Sequence, residues 1–245
     1  MIDIHCHILP CVDDGSPDWD ASLDMAGMAA ESGITDIIAT PHCNLPKADM
    51  PNLISSELLR RFDALQRHID HAGIPLRIHT GAEVFCTPEV PELLRQGQLL
   101  TLAQSRYLLV EFFFDESADY MDHMLHEIIA LGYIPVIAHP ERYEAVQQMP
   151  VLVERWFREG IVIQLNKGSI LGRLGHRSQR TAHHILHHGL AHVVASDAHS
   201  PIVRTPCMTE LQEYLEDNCG ITYADILLHR NPNCILHNMP LLQVD

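Results

Sequence analysis

The chain has 245 residues, 47% of them hydrophobic, with 32 acidic against 16 basic side chains, a formal net charge of -16 and 18 histidines. That suffices for one domain with a substantial core, expected to span 1–245, and so acidic a surface excludes nucleic acid, whose phosphates need a positive partner. No apolar run approaches the roughly 18 residues of a membrane span, and the opening MIDIH lacks the basic and apolar regions of a signal peptide, so a cytoplasmic protein without membrane insertion is expected.

Short β-branched or apolar runs predict strands at 1–8, 35–40, 76–83, 107–112, 134–139, 161–166 and 191–197. Between them the periodicity predicts helices over 17–33, 51–73, 88–96, 119–132, 150–160, 178–189 and 205–219. Several end on a glycine just before the next strand, as in ESG, HAG, ALG, REG and HHG, where a left-handed residue is wanted. Seven repeats of strand then helix predict an α/β fold, a parallel (β/α)7 barrel. The tail 221–245 reads as one or two short helices. The seven cysteines form no C-x-x-C pair and read as reduced, core-packing thiols.

In such a barrel chemistry gathers at the C-terminal ends of the strands. Metal-competent residues stand at nearly every one: His5 and His7, then His42, Glu83, Glu111, His139, Asp197 and His199, with Asp14 in the loop after the first. In the opening run the alternation of side chains puts His5 and His7 on the lumen face and Ile4, Cys6 and Ile8 on the other. Four carboxylates and five imidazoles converging in one pocket would be costly to desolvate without compensation. About three divalent ions would supply it, leaving an acidic protein with one net positive site fit for a phosphate. Mixed nitrogen and oxygen donors suit manganese, iron or zinc. Arg142, three residues after His139, and Arg204, five after His199, stand where their planar forks could clamp phosphoryl oxygens.

H-x-H at 5–7, VDDG at 12–15, TPH at 40–42, GAE at 81–83, VEF at 110–112, IAHPERY at 137–143 and SDAH at 196–199, in this order, resemble the PHP (polymerase and histidinol phosphatase) superfamily. Within it the chain looks most like the CpsB/YwqE-type bacterial tyrosine-protein phosphatases. The resemblance implies a distorted (β/α)7 barrel with a trinuclear metal centre. It implies hydrolysis of phosphotyrosine by a metal-activated hydroxide, on a tyrosine autokinase that controls capsule or exopolysaccharide synthesis. Carried over by position, it makes His5, His7, Glu83 and Asp197 ligands of one metal. Glu83 bridges to a second held by Glu111 and His139, and Asp14, His42 and His199 hold the third, with Asp13 a possible substitute for Asp14. Arg142 and Arg204 fall where that branch has its phosphate-binding arginines.

Other readings compete. A phosphoesterase of the same superfamily acting on a small phosphomonoester, such as histidinol phosphate or a nucleotide, would use the same metals behind a different pocket wall. An amidohydrolase commonly bridges its metals with a carbamylated lysine, but Lys47 is in a loop and Lys167 follows the sixth strand. A thiol phosphatase needs C-x5-R, which no cysteine here offers. A non-catalytic, metal-stabilised binding module is the remaining class. Phe112, Phe113, Phe114 and Tyr143 beside the ligands read either as an aromatic wall or as core. His183 with His187, and His184 with His188, are spaced to chelate a surface metal but lack a third ligand, and read as a solvated helix face.

Overall fold

The computed structural model describes residues 1–46 and 52–243, so Lys47 lies outside the described residues. Among the described residues nine strands form, all paired in parallel: β1 (Ile2–Cys6), β2 (Asp36–Ala39), β3 (His42–Cys43), β4 (Arg77–Thr80), β5 (Glu83–Phe85), β6 (Tyr107–Glu111), β7 (Ile134–Ala138), β8 (Val162–Asn166) and β9 (Val193–Ala195). They order as β1-β2-β4 and β3-β5-β6-β7-β8-β9. The strand predicted over 76–83 is therefore broken in two, and β3 is an addition.

Both breaks lie side by side. Ala39 pairs with Thr80 and His42 with Glu83, so the second and third strand positions kink together at Pro41 and Gly81. Pro41 has no N–H for a ladder, and its carbonyl instead accepts from Glu83 N at 3.1 Å. A Cβ on Gly81 would stand 2.7 Å from Ile38 Cγ2 and 3.3 Å from the Ala39 carbonyl, which explains the glycine of GAE. Counting each broken pair once gives seven strand positions. The last meets the first through His7 N to Ala198 O at 2.8 Å and Asp197 N to His5 O at 2.9 Å.

Helices pack outside the strands. Trp19–Glu31, Ser56–His71 and Ala118–Ala130 begin on side-chain caps from Asp18, Ser55 and Ser117, and the glycines at the five predicted helix ends have positive φ of 64° to 87°. Helix Thr209–Cys219 starts later than expected because the Thr205 and Cys207 carbonyls accept from Lys167 Nζ rather than continuing a helix. The tail forms three short helical pieces between Ile221 and Leu236. Among the described residues no helix is long and apolar enough to cross a membrane.

The core has two parts. An outer cluster, including Met25, Leu65, Met124, Trp156 and Ile185, lies between strands and helices. An inner one, with Ile4, Ile38, Leu109, Val136, Val162 and Val193, fills the ring beneath the small side chains of Ala138 and Ala195. Ile4 corrects the simple alternation: it packs inside, whereas Cys6 and Ile8 pack outside as expected. Between Asp3 and Cys6, β1 carries one residue more than β2, a bulge that resets the period of two and turns both Ile4 and His5 inward.

Candidate metal centre

All nine candidate ligands come to one rim. His5 is the penultimate residue of β1 and His7 follows the strand; His42 and Glu83 open β3 and β5; Glu111 ends β6; His139 follows β7; Asp197 and His199 follow β9; Asp14 lies in the loop after β1. His139 and Asp197 have φ of 38° and 49°, left-handed values unusual for residues other than glycine, so the chain turns over as it leaves these two strands. His5, His7, Glu83, Asp197 and His139 are buried, and the Asp14 carboxylate is exposed at the mouth.

The ligand atoms fall into three groups, each within 4.8 Å: His5, His7, Glu83 and Asp197; His7, Asp14, His42 and His199; and His42, Glu83 and Glu111. His5 Nε2 is 3.1 Å from Glu83 Oε2 and 3.5 Å from Asp197 Oδ1, and His7 Nε2 is 3.2 and 3.6 Å from the same two atoms. His42 serves two groups, with Nδ1 2.8 Å from Glu111 Oε1 and 3.2 Å from Glu83 Oε2, and Nε2 3.4 Å from Asp14 Oδ1. This differs in detail from the expected division. His139 Nε2 approaches Glu83 Oε1 at 2.9 Å, yet His42 rather than His139 forms a group with Glu83 and Glu111.

Sequence reasoning missed what stands behind the ligands. Gln164 Oε1 accepts from His5 Nδ1 at 2.9 Å, and Asp13 Oδ2 accepts from His7 Nδ1 at 2.7 Å, which frees each Nε2 to face a cation. Asp13 also accepts from the backbone N–H groups of His42, at 2.8 Å, and Gly15, at 3.0 Å, so it supports the ligands rather than replacing Asp14. Gly15 is needed because a Cβ there would lie 2.3 Å from the His7 carbonyl. Asn166 donates to Asp197. Gln164 and Asn166 were visible as polar residues in the apolar run IVIQLN; Asp13 had no distinguishing signal beside Asp14. Asp13→Ala is expected to weaken divalent-metal affinity roughly 10- to 100-fold, measured by calorimetric titration, while the fold persists by circular dichroism; unchanged affinity would refute this support role.

The electrostatics favour cations. Burial opposes charge on His42, but Glu83 and Glu111 outweigh it and push its pKa up to about 9. His5 and His7 are raised in the same way, against burial, by Glu83 with Asp197 and by Asp13 with Glu83. Burial would raise Glu83, but His5 and His42 hold it well below the usual carboxylate range. Burial and the Glu83 charge raise Glu111. Carboxylates this crowded draw positive charge to themselves, as protons on imidazoles or as metal ions. Among the described residues the buried His139 Nδ1 has no hydrogen-bond partner, and His42 Nδ1 and Glu111 Oε1 face each other at 2.8 Å without completing a hydrogen bond. Orphaned atoms in a set of imidazoles and carboxylates fit divalent ions of the manganese, iron or zinc kind.

The ligands open on a cavity of about 290 Å³, also lined by Phe85, Phe113, Phe114, Arg142 and Arg204. Arg204 pairs with Asp197 Oδ2, and Arg142 Nη1 lies 3.8 Å from the same oxygen. The four aromatics divide: Phe112 and Tyr143 are buried, whereas Phe113 and Phe114 are 51% and 44% exposed. Lys167 is buried with Nζ on the carbonyls of Thr205 and Cys207, so it braces the segment after Arg204. The helix histidines stay apart from the rim. His183 bonds the Ile170 carbonyl and Tyr214, the His184 and His188 rings lie 4.1 Å apart at a tilt of 41°, and among the described residues none joins a metal-competent group of three.

Residues 1–237 match the profile of the capsular polysaccharide synthesis family CpsB/CapC. The tyrosine-protein phosphatase YwqE of Bacillus subtilis is 35% identical over 243 residues, covering 99% of this chain and 94% of that protein. The tyrosine-protein phosphatase CpsB of Streptococcus agalactiae serotype V is 30% identical over 243 residues, covering 97% and 99%. Crystal structures of YwqE from B. subtilis and CpsB from Streptococcus pneumoniae, described as unique metal-dependent tyrosine phosphatases, supply a chain that superposes with a TM-score of 0.93 at 34% identity, covering 100% of this chain and 97% of that one.

Proposed function

Because the chain belongs to the CpsB/CapC family, we propose that it is a metal-dependent protein-tyrosine phosphatase, acting as a single domain over 1–245. The observation that carries this reading is the meeting of three imidazole and carboxylate groups with two arginines around one cavity. His5, His7, Asp14, His42, Glu83, Glu111, His139, Asp197 and His199 hold about three divalent ions, of manganese, iron or zinc. Bound there, the ions supply Lewis acidity at the phosphoryl group and lower the pKa of the attacking water. The protein's own share is positional. Gln164 and Asp13 fix the ring nitrogens of His5 and His7 toward the ions, and Arg142 and Arg204 grip phosphoryl oxygens with charge-assisted bonds that strengthen as charge spreads in the transition state. The phenolate leaving group, with a pKa of about 10, departs with less help from an acid than an alkoxide needs.

The substrate is a phosphotyrosyl protein, a tyrosine autokinase of capsule or exopolysaccharide synthesis, and the seven unpaired thiols support a cytoplasmic location. The test is a hydrolysis assay on protein loaded with manganese, iron or zinc, comparing a phosphotyrosyl peptide, histidinol phosphate and a mononucleotide. The peptide is expected to be the best of the three, and chelator to abolish all turnover. A peptide that ranks last would favour a small-molecule phosphatase. Metal-bound protein that hydrolyses none of the three would make the site a binding module.

A further inference from the structure

The cavity has one charged side and one apolar side. Ligands and arginines account for the first. The second comes from Leu45 and from phenylalanines of unequal standing: Phe85 and Phe112 are nearly buried, while Phe113 and Phe114 present half their surface. Phe114 already has a partner, since the Arg142 guanidinium lies over its ring, 4.3 Å from the centroid. That is cation–π range, and it fixes the plane of a side chain assigned to the phosphoryl group. Phe113 is held differently. Its ring meets Phe85 edge-on at 4.6 Å and 66°, which pins it to the wall while leaving it 51% exposed beside the ligands. The exposed half of this ring is apolar area whose burial by a ligand beside the anion-binding cluster would contribute favourable transfer free energy.

We propose that Phe113 is a specificity-determining residue that contacts the aromatic ring of the leaving group, and that Phe114 is a positioning residue for Arg142. The inference rests on the phosphatase reading and refines it. The site's preference for aryl over alkyl phosphates resides in Phe113, whereas its grip on the phosphoryl group is independent of that side chain.

Two non-hydrolysed anions separate the roles: phenylphosphonate carries the ring and methylphosphonate does not. Inhibition constants are measured with the manganese-loaded protein against phenyl phosphate turnover, each variant being compared with the wild type on the same inhibitor so that intrinsic reactivity cancels. Phe113→Ala is expected to weaken phenylphosphonate about tenfold and methylphosphonate by less than about twofold. Phe113→Leu, which keeps the bulk but lacks the ring, should recover only part of the loss. Phe114→Ala should weaken both inhibitors alike, because Arg142 loses its platform. Equal effects of Phe113→Ala on the two phosphonates, or none, would overturn the assignment while leaving the phosphatase reading intact. A wild type that hydrolyses no phosphomonoester would overturn both.

Discussion

Alanine in place of Asp197 is expected to lower turnover by at least roughly 10³-fold and to release metal, since the ions' share of several kcal/mol is lost and each 1.36 kcal/mol is tenfold in rate. Six side chains converge on this one buried carboxylate. His5, His7 and His199 lie 3.5 to 3.6 Å from Oδ1, Asn166 donates to Oδ2, and Arg204 and Arg142 pair with that same oxygen. Removing it leaves buried cationic groups facing each other without an anion, which also weakens the rim. The left-handed backbone at Asp197 adds a complication, because alanine tolerates φ of 49° less well than aspartate. Asp197→Asn keeps the shape and the backbone preference and discards only the charge. It should lose metal by elemental analysis and activity by assay, with a far-UV spectrum like the parent's. An asparagine variant with its full metal complement would sink the assignment.

Arg142→Ala is expected to act on the other half of the reaction, lowering kcat/KM about 10²- to 10³-fold with bound metal unchanged. Arg142 reaches toward Asp197 only at 3.8 Å, is partly open to solvent and rests on Phe114, so its removal leaves the ligands' own contacts standing. Arg142→Lys should restore little, since an ammonium cannot make the two parallel bonds of a guanidinium fork. Arg204 is bound more tightly into the site: it pairs with Asp197, its Nε is buried without a partner, and its carbonyl accepts from His199 N at 2.9 Å. Its alanine variant should therefore lose some metal along with activity. Elemental analysis beside kinetics would show whether the two arginines divide in this way; parallel metal loss in both would contradict it.

Much of this was legible from sequence because the relevant signals are local. Strand and helix alternate with clear periods, the helix-ending glycines stand where positive φ is found, and eight of the nine ligand candidates sit at or beside strand ends, with Asp14 in the loop after β1. What stayed hidden depends on contacts between distant segments. The kink at Gly81 exists because Ile38 and Ala39, some forty residues earlier, crowd that position. The bulge in β1 is a mismatch with β2 and has no trace in IDIHC itself. His42's two-sided role required Glu111 on one side and Asp14 on the other. The pairing of Asp13 with His7 could not be told from a plain Asp-Gly turn, since both readings use the same four letters.

The joining of β9 to β1 also bears on how the protein is made. A ribosome lays down Asp197, His199 and Arg204 only after nearly two hundred residues beyond His5 and His7. A nascent chain can offer cations the early imidazoles and glutamates, yet not the carboxylate on which six side chains converge. If Asp197 holds the ions as proposed, hydrolytic competence is expected only once translation has passed Arg204 and the final strand has docked.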